Sequence, residues 1–511
     1  MAALPLGAGQ ANRVPLVVVL AVALMGCAAS PTTLDPRASV DVAGDPSPLG
    51  VPTAGGGLLL EELPSVVHGR QPGAANQLPP GISRQTAVRG LELPTAVQFA
   101  PDGRVLVAEQ RGTVQMYATL GDTQPVTIID IRTQVFNAGQ LGLLGLALDP
   151  DFEHEPYIYV AYTFDAPIGG TAPTFGRPGE DRDSCPAEQV CLVSGRISRF
   201  LLEPDGTTAP EHVLLEDWCN SSLVHTVGTI AFDSTGALLA AGGDGAQGDE
   251  LDVGQLTAPS HSCAADSAGP IGAPASAAVG GSLRSQGMRL PDGPRGLNGT
   301  LVRVDRATGD ALPDNPLFDT AAGRARLVLA YGLRNPFRFL IVPGTRQIWL
   351  ADPGWNTYEE LNHIADFLAR PVPNLGWPCY EGPLAQPAYA EAGPALCVDL
   401  YEAQPPPVLW PAFSAGRASA AGQPCHSERS AFSAVVLYDQ ASLPKEYAAG
   451  MMIGDAIRRC IWFAPLGTDG GPDFDRLVLF ATDVAPVDLK LSPDGRMVTV
   501  DYRRGALITF E

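Results

Sequence analysis

The sequence predicts an all-β protein, a six-bladed β-propeller in which each blade is a four-stranded antiparallel sheet around a central channel. The first observation is a repeated unit of an apolar strand, a Pro/Asp/Gly turn and a second apolar strand, which is typical of a β-hairpin. The second is that several such units favour a repeat architecture. The third is that no long amphipathic helix separates them, which disfavours a βαβ arrangement. Five clear units begin at Val97, Leu146, Ile230, Phe339 and Leu489, and a weaker sixth begins at Val435.

The spacing between these units is uneven, and the excess lies in three segments, 165–192, 255–296 and 380–432. The segments are rich in Gly, Pro, Ala and Ser and contain most of the cysteines. Long loops at one end of a rigid scaffold commonly carry binding sites, and disulfides would limit their motion. We therefore expect long disulfide-bearing loop insertions. The alternative is that each segment is a decorative insertion.

The N-terminal segment predicts export from the cytoplasm. Arg13 precedes the apolar run "VPLVVVLAVALMG", which is shorter than the ~20 residues that span a bilayer and is typical of an export signal over residues 1–26. "LMGC" resembles a bacterial lipobox, so we expect a lipidated Cys27 and a membrane-anchored lipoprotein on the periplasmic or extracellular face; the alternative is a conventional signal peptide cleaved nearby. Residues 27–83 have the composition of a flexible tether, and residues 84–511 form the predicted propeller.

Charge and cysteine content both fit an exported protein. With 33 Lys+Arg against 55 Asp+Glu the formal net charge is −22, and no basic cluster stands out, which argues against a nucleic-acid partner. Of the nine cysteines, eight remain once Cys27 is set aside. An even count in an oxidising compartment predicts disulfides, although eight cysteines allow about 105 connectivities. We expect pairing in sequence order, beginning with Cys185 and Cys191; a metal site is the weaker alternative because no CxxC spacing occurs.

One hairpin carries a candidate catalytic pair. In "LVHTVGTIAFDSTGALLAAGGDGA", His225 precedes the first strand and Asp244 follows the second. A hairpin brings its two ends together, so we expect these side chains to be close. A carboxylate hydrogen-bonded to one imidazole nitrogen fixes the tautomer and leaves the other nitrogen free to act as a base. The alternative is a structural histidine that satisfies turn backbone.

The same hairpin resembles the histidine blade of the soluble PQQ-dependent sugar dehydrogenases, the glucose/sorbosone dehydrogenase family. The resemblance continues through "AGQLGLLGLALDPDFEHEPYIYVAYTF", "YGLRNPFRF", "IWLADPGWNTYEELNHI" and "NLGWPCYEG", and ends at "LKLSPDGRMVTVDYRRGALITF". It covers nearly everything from residue 86 onward, with the motifs in order. "WCNSSLVH" with the later cysteines is similar to a secreted bacterial subgroup of that family.

The resemblance implies a sugar oxidoreductase and assigns its central residues. His225 matches the general base that takes a proton from the sugar's anomeric hydroxyl while hydride passes to the quinone. Asp244 matches the carboxylate that orients this base. Gln140 matches a polar contact near the reactive carbonyl of the cofactor. The implied partners are an aldose or similar hydroxylated substrate and an external electron acceptor.

The resemblance also implies the groups that hold PQQ and calcium. Arg334 and Asn335 match the pair that contacts cofactor oxygens, and the guanidinium would stabilise negative charge on the reduced quinone. Gly354, followed by Trp355, matches a position whose backbone carbonyl helps to hold a calcium ion against the cofactor. Each assignment has a structural alternative, such as a glutamine that ties down a loop.

The sequence departs from the family where positive charge is expected. PQQ is a tricarboxylate, and burying carboxylates without cations is costly. Ala485 and Val487 occupy places where relatives have arginines, and Asp439 falls near an expected lysine. A non-catalytic ligand- or protein-binding propeller that has lost its cofactor contacts is therefore the main alternative, ahead of a lactonase-like hydrolase, for which no motif is found. The cations that could substitute are Arg338, Lys490, Arg503 and Arg504.

Overall fold

The computed structural model describes residues 78–175, 183–185, 191–254, 263, 275–416, 425, 427 and 429–511. All of them belong to one compact unit. They contain six four-stranded antiparallel sheets, so the predicted six-bladed propeller is confirmed. The predicted export signal and residues 27–77 of the predicted tether lie outside the described residues. No helix in the described part of the chain is long and apolar enough to cross a membrane.

Strand β1 (Arg84–Arg89) precedes the first three blades. Each of these blades has four strands in chain order. Blade 1 is β2 (Pro94–Phe99), β3 (Val105–Glu109), β4 (Thr113–Tyr117) and β5 (Val126–Asp130); blade 2 is β6 (Leu143–Leu148), β7 (Tyr157–Phe164), β8 (Val193–Leu201) and β9 (His212–Asn220); blade 3 is β10 (Val227–Phe232), β11 (Leu238–Gly242), β12 (Thr300–Val304) and β13 (Val328–Tyr331).

The next two blades follow the same order, and an extra two-stranded ribbon, β17 (Tyr380–Glu381) and β18 (Leu384–Ala385), is inserted within blade 4. Blade 6 takes its outermost strand from β1. Blade 4 is β14 (Arg338–Ile341), β15 (Ile348–Asp352), β16 (Tyr358–Ile364) and β19 (Phe413–Gly416); blade 5 is β20 (Phe432–Tyr438), β21 (Gly450–Asp455), β22 (Cys460–Pro465) and β23 (Val478–Thr482); blade 6 is β24 (Pro486–Leu491), β25 (Met497–Asp501) and β26 (Ala506–Phe510) with β1.

The first strands of neighbouring blades contact one another in a closed ring, β2–β6–β10–β14–β20–β24 and back to β2. This ring surrounds the axis, and blades pack face to face through buried apolar side chains. Closure joins the two ends of the described chain, because β1 pairs with β26 from Arg84 opposite Phe510 to Arg89 opposite Ala506. Every repeat unit recognised in the sequence is the inner hairpin of one blade.

Among the described residues, the loop insertions contain both α-helices and the longest 3-10 helix. Helix α1 (Pro387–Ala392) begins with proline at its first position, where the missing N–H costs nothing, and ends at Gly393, which has φ 62°. Helix α2 (Ala395–Glu402) follows, and a buried 3-10 helix spans Gly281–Arg289. Shorter 3-10 turns span Ala275–Ala277, Gly323–Leu327, Lys445–Tyr447 and Phe474–Arg476.

Four disulfides hold these insertions, and their cysteines pair in sequence order, as expected. Their Cα–Cα distances of 5.0–6.2 Å are those of ordinary disulfides. The bonds are Cys185–Cys191, Cys219–Cys263, Cys379–Cys397 and Cys425–Cys460.

Candidate active site

A cavity of about 480 Å³ opens at the end of the propeller where the inner strands begin. His225, Gln140 and Asn335, which the sequence predicts as site residues, all line it. They come from blades 3, 2 and 4, just ahead of β10, β6 and β14 respectively. Blades 1 and 6 complete the wall, so the site is built from five blades. The other lining residues are Thr95, Gln110, Leu144, Thr226, Gly228, Pro336, Phe337, Arg338, Val487 and Tyr502.

His225 and Asp244 form the expected pair. The Nδ1 atom of His225 lies 2.8 Å from Oδ1 of Asp244, and the two residues are 3% and 0% exposed. Asp244 also accepts hydrogen bonds from the backbone N–H of Ala246 at 3.0 Å and from the indole Nε1–H of Trp377 at 2.7 Å. An ionised carboxylate can only accept, so Nδ1 of His225 carries the proton and Nε2 keeps its lone pair.

The electrostatic surroundings keep the imidazole neutral. Burial lowers the pKa of His225, and the charge of Arg334 lowers it further, against the opposing effect of Asp244. Burial alone would raise the pKa of Asp244, but its interactions with His225 and Arg334 outweigh this effect, so the pKa falls below its usual value. At neutral pH the pair is therefore an ionised carboxylate beside a neutral imidazole, which is the protonation state that a general base needs.

The backbone around the pair is tightly constrained. His225 has a φ of 62°, in the left-handed region that side chains rarely adopt. A Cβ atom on Gly243 would lie 2.6 Å from the carbonyl oxygen of Arg334 and 2.7 Å from that of His225. Only glycine lets these two loops approach so closely. The backbone N–H of Asp244 then donates to the Arg334 carbonyl at 2.9 Å and that of Gly245 to the His225 carbonyl at 3.1 Å.

Arg334 and Asn335 are positioned by Asp352 at the end of β15. Its carboxylate accepts the backbone N–H groups of Arg334 at 3.0 Å and Asn335 at 2.6 Å. The guanidinium of Arg334 donates to the carbonyls of Pro353 at 3.1 Å and Gly248 at 2.7 Å. Arg334 is not among the lining residues of the cavity, so it lies behind the wall that Asn335 helps to form.

Sequence reasoning missed the group that holds the Gln140 loop. The side-chain amide of Gln110 donates to the carbonyls on either side of Gln140, Gly139 at 2.9 Å and Leu141 at 2.7 Å. The hydroxyl of Tyr502 in turn donates to Oε1 of Gln110 at 2.5 Å. The backbone N–H of Gln140 donates to the Leu223 carbonyl at 2.9 Å, which joins this loop to the one that carries His225.

A pattern shared by the sequence repeats could have identified several of these side chains, including Gln110 and Tyr502. In four blades the second strand ends in an acidic residue, at Glu109, Asp352, Asp455 and Asp501, and in blades 2 and 3 the acid follows one or two residues later, at Asp165 and Asp244. Because strand directions repeat from blade to blade, equivalent positions reach the same end of the propeller. Gln110 and Tyr502 directly follow two of these acids. A comparison between repeats therefore predicts them as residues of the mouth.

The loop that carries the predicted calcium ligands is organised by a carboxylate. Oε1 of Glu381 accepts four successive backbone N–H groups, from Trp355 at 2.7 Å, Asn356 at 3.0 Å, Thr357 at 2.9 Å and Tyr358 at 3.2 Å. Within the described residues no group of three or more His, Cys, Asp or Glu could hold a metal ion. The carbonyls of Gly354 and Trp355 are a different kind of ligand, and calcium binding there stays a prediction.

Two of the three positions that depart from the family lie in or near the cavity wall, and the third does not. Val487 lines the cavity and Ala485 is buried nearby, while Asp439 is exposed after the end of β20, at the opposite end of the inner strands. Of the substitutes considered, Arg338 alone lines the cavity; Arg504 is paired with Asp483 and Asp501 at the mouth. Arg503 is exposed, and Lys490 lies near the far end of β24.

This chain resembles known proteins in sequence. The glucose/sorbosone dehydrogenase pattern matches residues 91–260 and 279–389, more than half of the chain. Aldose sugar dehydrogenase YliI of Escherichia coli K12 is 24% identical over 293 residues, covering 56% of this chain and 59% of that protein. Quinoprotein glucose dehydrogenase B of Acinetobacter calcoaceticus is 34% identical over 88 residues, covering 17% of this chain and 18% of that protein. Both matches span less than two thirds of the relative.

Solved structures agree over most of the chain. The soluble aldose sugar dehydrogenase of Escherichia coli in its apo form superposes with a TM-score of 0.56 at 18% identity, covering 84% of this chain and 99% of that chain. The PQQ-bound aldose sugar dehydrogenase of Streptomyces coelicolor gives a TM-score of 0.54 at 16% identity, covering 85% and 100%. At these identities the likeness shows the shared fold. With the family pattern matched over more than half of its length, this chain belongs to the glucose/sorbosone dehydrogenase family.

Proposed function

We propose that this protein is an exported quinoprotein that oxidises an aldose or a similar hydroxylated substrate with PQQ as its cofactor. The observation that carries the proposal is the buried His225–Asp244 pair, whose imidazole opens onto the axial cavity. The relatives described as sugar dehydrogenases support the substrate class, and the PQQ-bound relative supports the cofactor.

The described residues fit PQQ in two respects. Gln140 and Asn335 line the cavity together with His225, and side-chain amides are groups that can bind ring and carboxylate oxygens. Positive charge comes from Arg338 in the cavity and from Arg334 behind its wall, which offsets the absence of charge at Val487.

When bound, PQQ would supply a carbonyl that accepts the hydride from the sugar. The protein's own part is proton removal: Nε2 of His225 accepts the proton of the sugar hydroxyl. Asp244 holds Nδ1–H in place and stabilises the imidazolium that forms. Trp377 and the Ala246 amide keep the carboxylate of Asp244 from turning. Gln140 and Asn335 would orient oxygens at the reacting end of the site.

Export is part of the same proposal. The four disulfides fit a protein that folds in an oxidising compartment. We propose that residues 1–26 direct this export and that Cys27 is the lipid anchor, with electrons leaving to an external acceptor. Calcium bound through the carbonyls of Gly354 and Trp355 completes the proposed site.

The test is to add PQQ and calcium to the purified apoprotein, to record the absorption spectrum, and then to add aldoses with a reducible dye. We expect a bound-quinone spectrum that changes on sugar addition. His225→Ala should keep PQQ but lower kcat about 10²–10⁴-fold. His363→Ala is the control, because this histidine stacks on Trp349 in blade 4 outside the cavity. If the wild type retains no PQQ at excess, a non-catalytic binding propeller replaces the proposal. If His225→Ala keeps full activity, His225 is not the general base.

A further inference from the structure

Arg338, the first residue of β14, reaches across the axis of the propeller. Its Nη2 atom donates to the carbonyl of Thr95 in blade 1 at 2.6 Å and to that of Leu144 in blade 2 at 3.1 Å. Its Nη1 atom donates to the hydroxyl of Thr229 in blade 3 at 3.2 Å and to the carbonyl of Phe337 in blade 4 at 3.0 Å. One guanidinium therefore bonds to groups of four blades.

These contacts place Arg338 at the floor of the cavity. Thr95, Leu144 and Thr229 lie within the first three residues of the inner strands β2, β6 and β10. His225, Gln140 and Asn335 precede such strands, so they lie nearer the mouth. Arg338 lines the cavity while its residue is only 7% exposed.

The charge of this guanidinium is only partly compensated. Its carboxylate neighbour is Asp488 in blade 6, whose Oδ1 lies 3.7 Å from Nε, beyond hydrogen-bond distance. Oδ2 of Asp488 accepts the backbone N–H of Val97 at 3.2 Å. The remaining partners of Arg338 are carbonyl and hydroxyl dipoles, which stabilise a positive charge without cancelling it. A field from this charge therefore extends into the cavity, where water screens it poorly.

We propose that Arg338 is the floor cation that makes the cavity selective for a polycarboxylate ligand, replacing wall cations at Ala485 and Val487. This inference rests on the proposed function, in which the ligand is PQQ. The N–H groups of Arg338 are already bonded to the inner strands, so it acts through its field rather than by a direct hydrogen bond. Its effect therefore depends on charge and salt more than on the ligand's orientation.

The experiment measures binding to the apoprotein by quenching of tryptophan fluorescence, with no turnover involved. Two probes are titrated: PQQ, and benzene-1,3,5-tricarboxylate, which carries the same number of carboxylates without the redox ring. Arg338→Met should weaken both at least tenfold and flatten the salt dependence of binding. Asp488→Asn keeps an oxygen that can accept from Val97 but removes the negative charge, so it should tighten both probes several-fold. Arg346→Met, an exposed arginine near Asp366, is the matched control.

The two floor variants, Arg338→Met and Asp488→Asn, distinguish an effect of charge on binding from damage to the scaffold. If Arg338 only ties the blades together, both floor variants weaken binding, and that result overturns the inference. Unchanged affinity for PQQ in Arg338→Met also overturns it while leaving the proposed function in place. If the tricarboxylate binds in an Arg338-dependent manner and PQQ does not, the proposed function is wrong and the inference stands. If neither probe binds the wild type, the inference is wrong.

Discussion

The hydrogen bond from Trp377 to Asp244 should set the pH dependence of the reaction. Trp377→Phe keeps an aromatic ring in the cluster with Trp355 and Tyr389 but removes the Nε1–H that donates to Oδ2 of Asp244 at 2.7 Å. A hydrogen bond to a charged acceptor contributes about 1.5–3 kcal/mol. Its loss leaves the carboxylate with two donors, His225 and the Ala246 amide.

A less satisfied carboxylate is more basic and stabilises the imidazolium more strongly. The pKa of His225, which burial lowers in the wild type, should therefore rise in Trp377→Phe. If about half of the lost energy reaches the imidazole, the rise is roughly 0.5–1 unit, since one unit corresponds to about 1.36 kcal/mol. The acid limb of kcat/KM should move to higher pH by that amount, with a plateau kcat lowered about 3–10-fold because Asp244 is held less firmly.

The assay is the pH profile of dye-linked sugar oxidation by the PQQ-loaded enzyme. Trp349→Phe is the matched control, because this buried indole stacks on His363 in blade 4, away from Asp244. An acid limb that stays in place in Trp377→Phe would refute the reasoning. An equal displacement in Trp349→Phe would mean that the effect comes from lost packing rather than from the hydrogen bond.

Two further substitutions test the loop packing and a buried acid. Gly243→Ala should destabilise the protein by about 1–3 kcal/mol and lower kcat, because the new Cβ meets two backbone carbonyls within 2.7 Å. The measurement is denaturant unfolding. Gly287→Ala is the control and should change stability little, because its new Cβ has its nearest contact at 3.6 Å. Burial and Glu359 raise the pKa of Asp455 to about 7. The unfolded chain therefore loses this proton first, so stability falls as pH rises from about 4 to about 7; Asp455→Asn should remove that loss, and an unaltered slope of stability against pH would contradict it.

The inner hairpins could be predicted from sequence because their chemistry is local. Each has two apolar strands around a polar turn, and both strands are largely buried, so they form continuous apolar runs bounded by turn residues. Outer strands carry a weaker signal, since residues such as Val126 and Val213 are exposed there. The pairing of β1 with β26 joins residues some 400 positions apart, which no local pattern specifies.

The contacts of the candidate site are likewise of two kinds, those within one hairpin and those between blades. His225 and Asp244 belong to one hairpin, so their contact follows from its geometry. The bonds of Gln110 to the Gln140 loop and of Arg338 to four blades cross blade boundaries. They depend on the ring of inner strands being closed. A comparison between repeats can place such residues at the mouth, but it does not specify which of them bond to one another.

The hydrogen bond from Trp377 to Asp244 also bears on whether the segment 380–432 supports the candidate site or is a decorative insertion. As a decorative insertion it would leave the His225–Asp244 pair to blade 3 alone. Trp377, however, lies two residues before Cys379, whose disulfide to Cys397 fixes the chain against α2. The ring of Trp377 packs on Tyr389 of α1 at a centroid distance of 5.9 Å while its N–H holds Asp244. The insertion therefore buttresses the carboxylate of Asp244, and its order should be coupled to the pKa of the His225 imidazole.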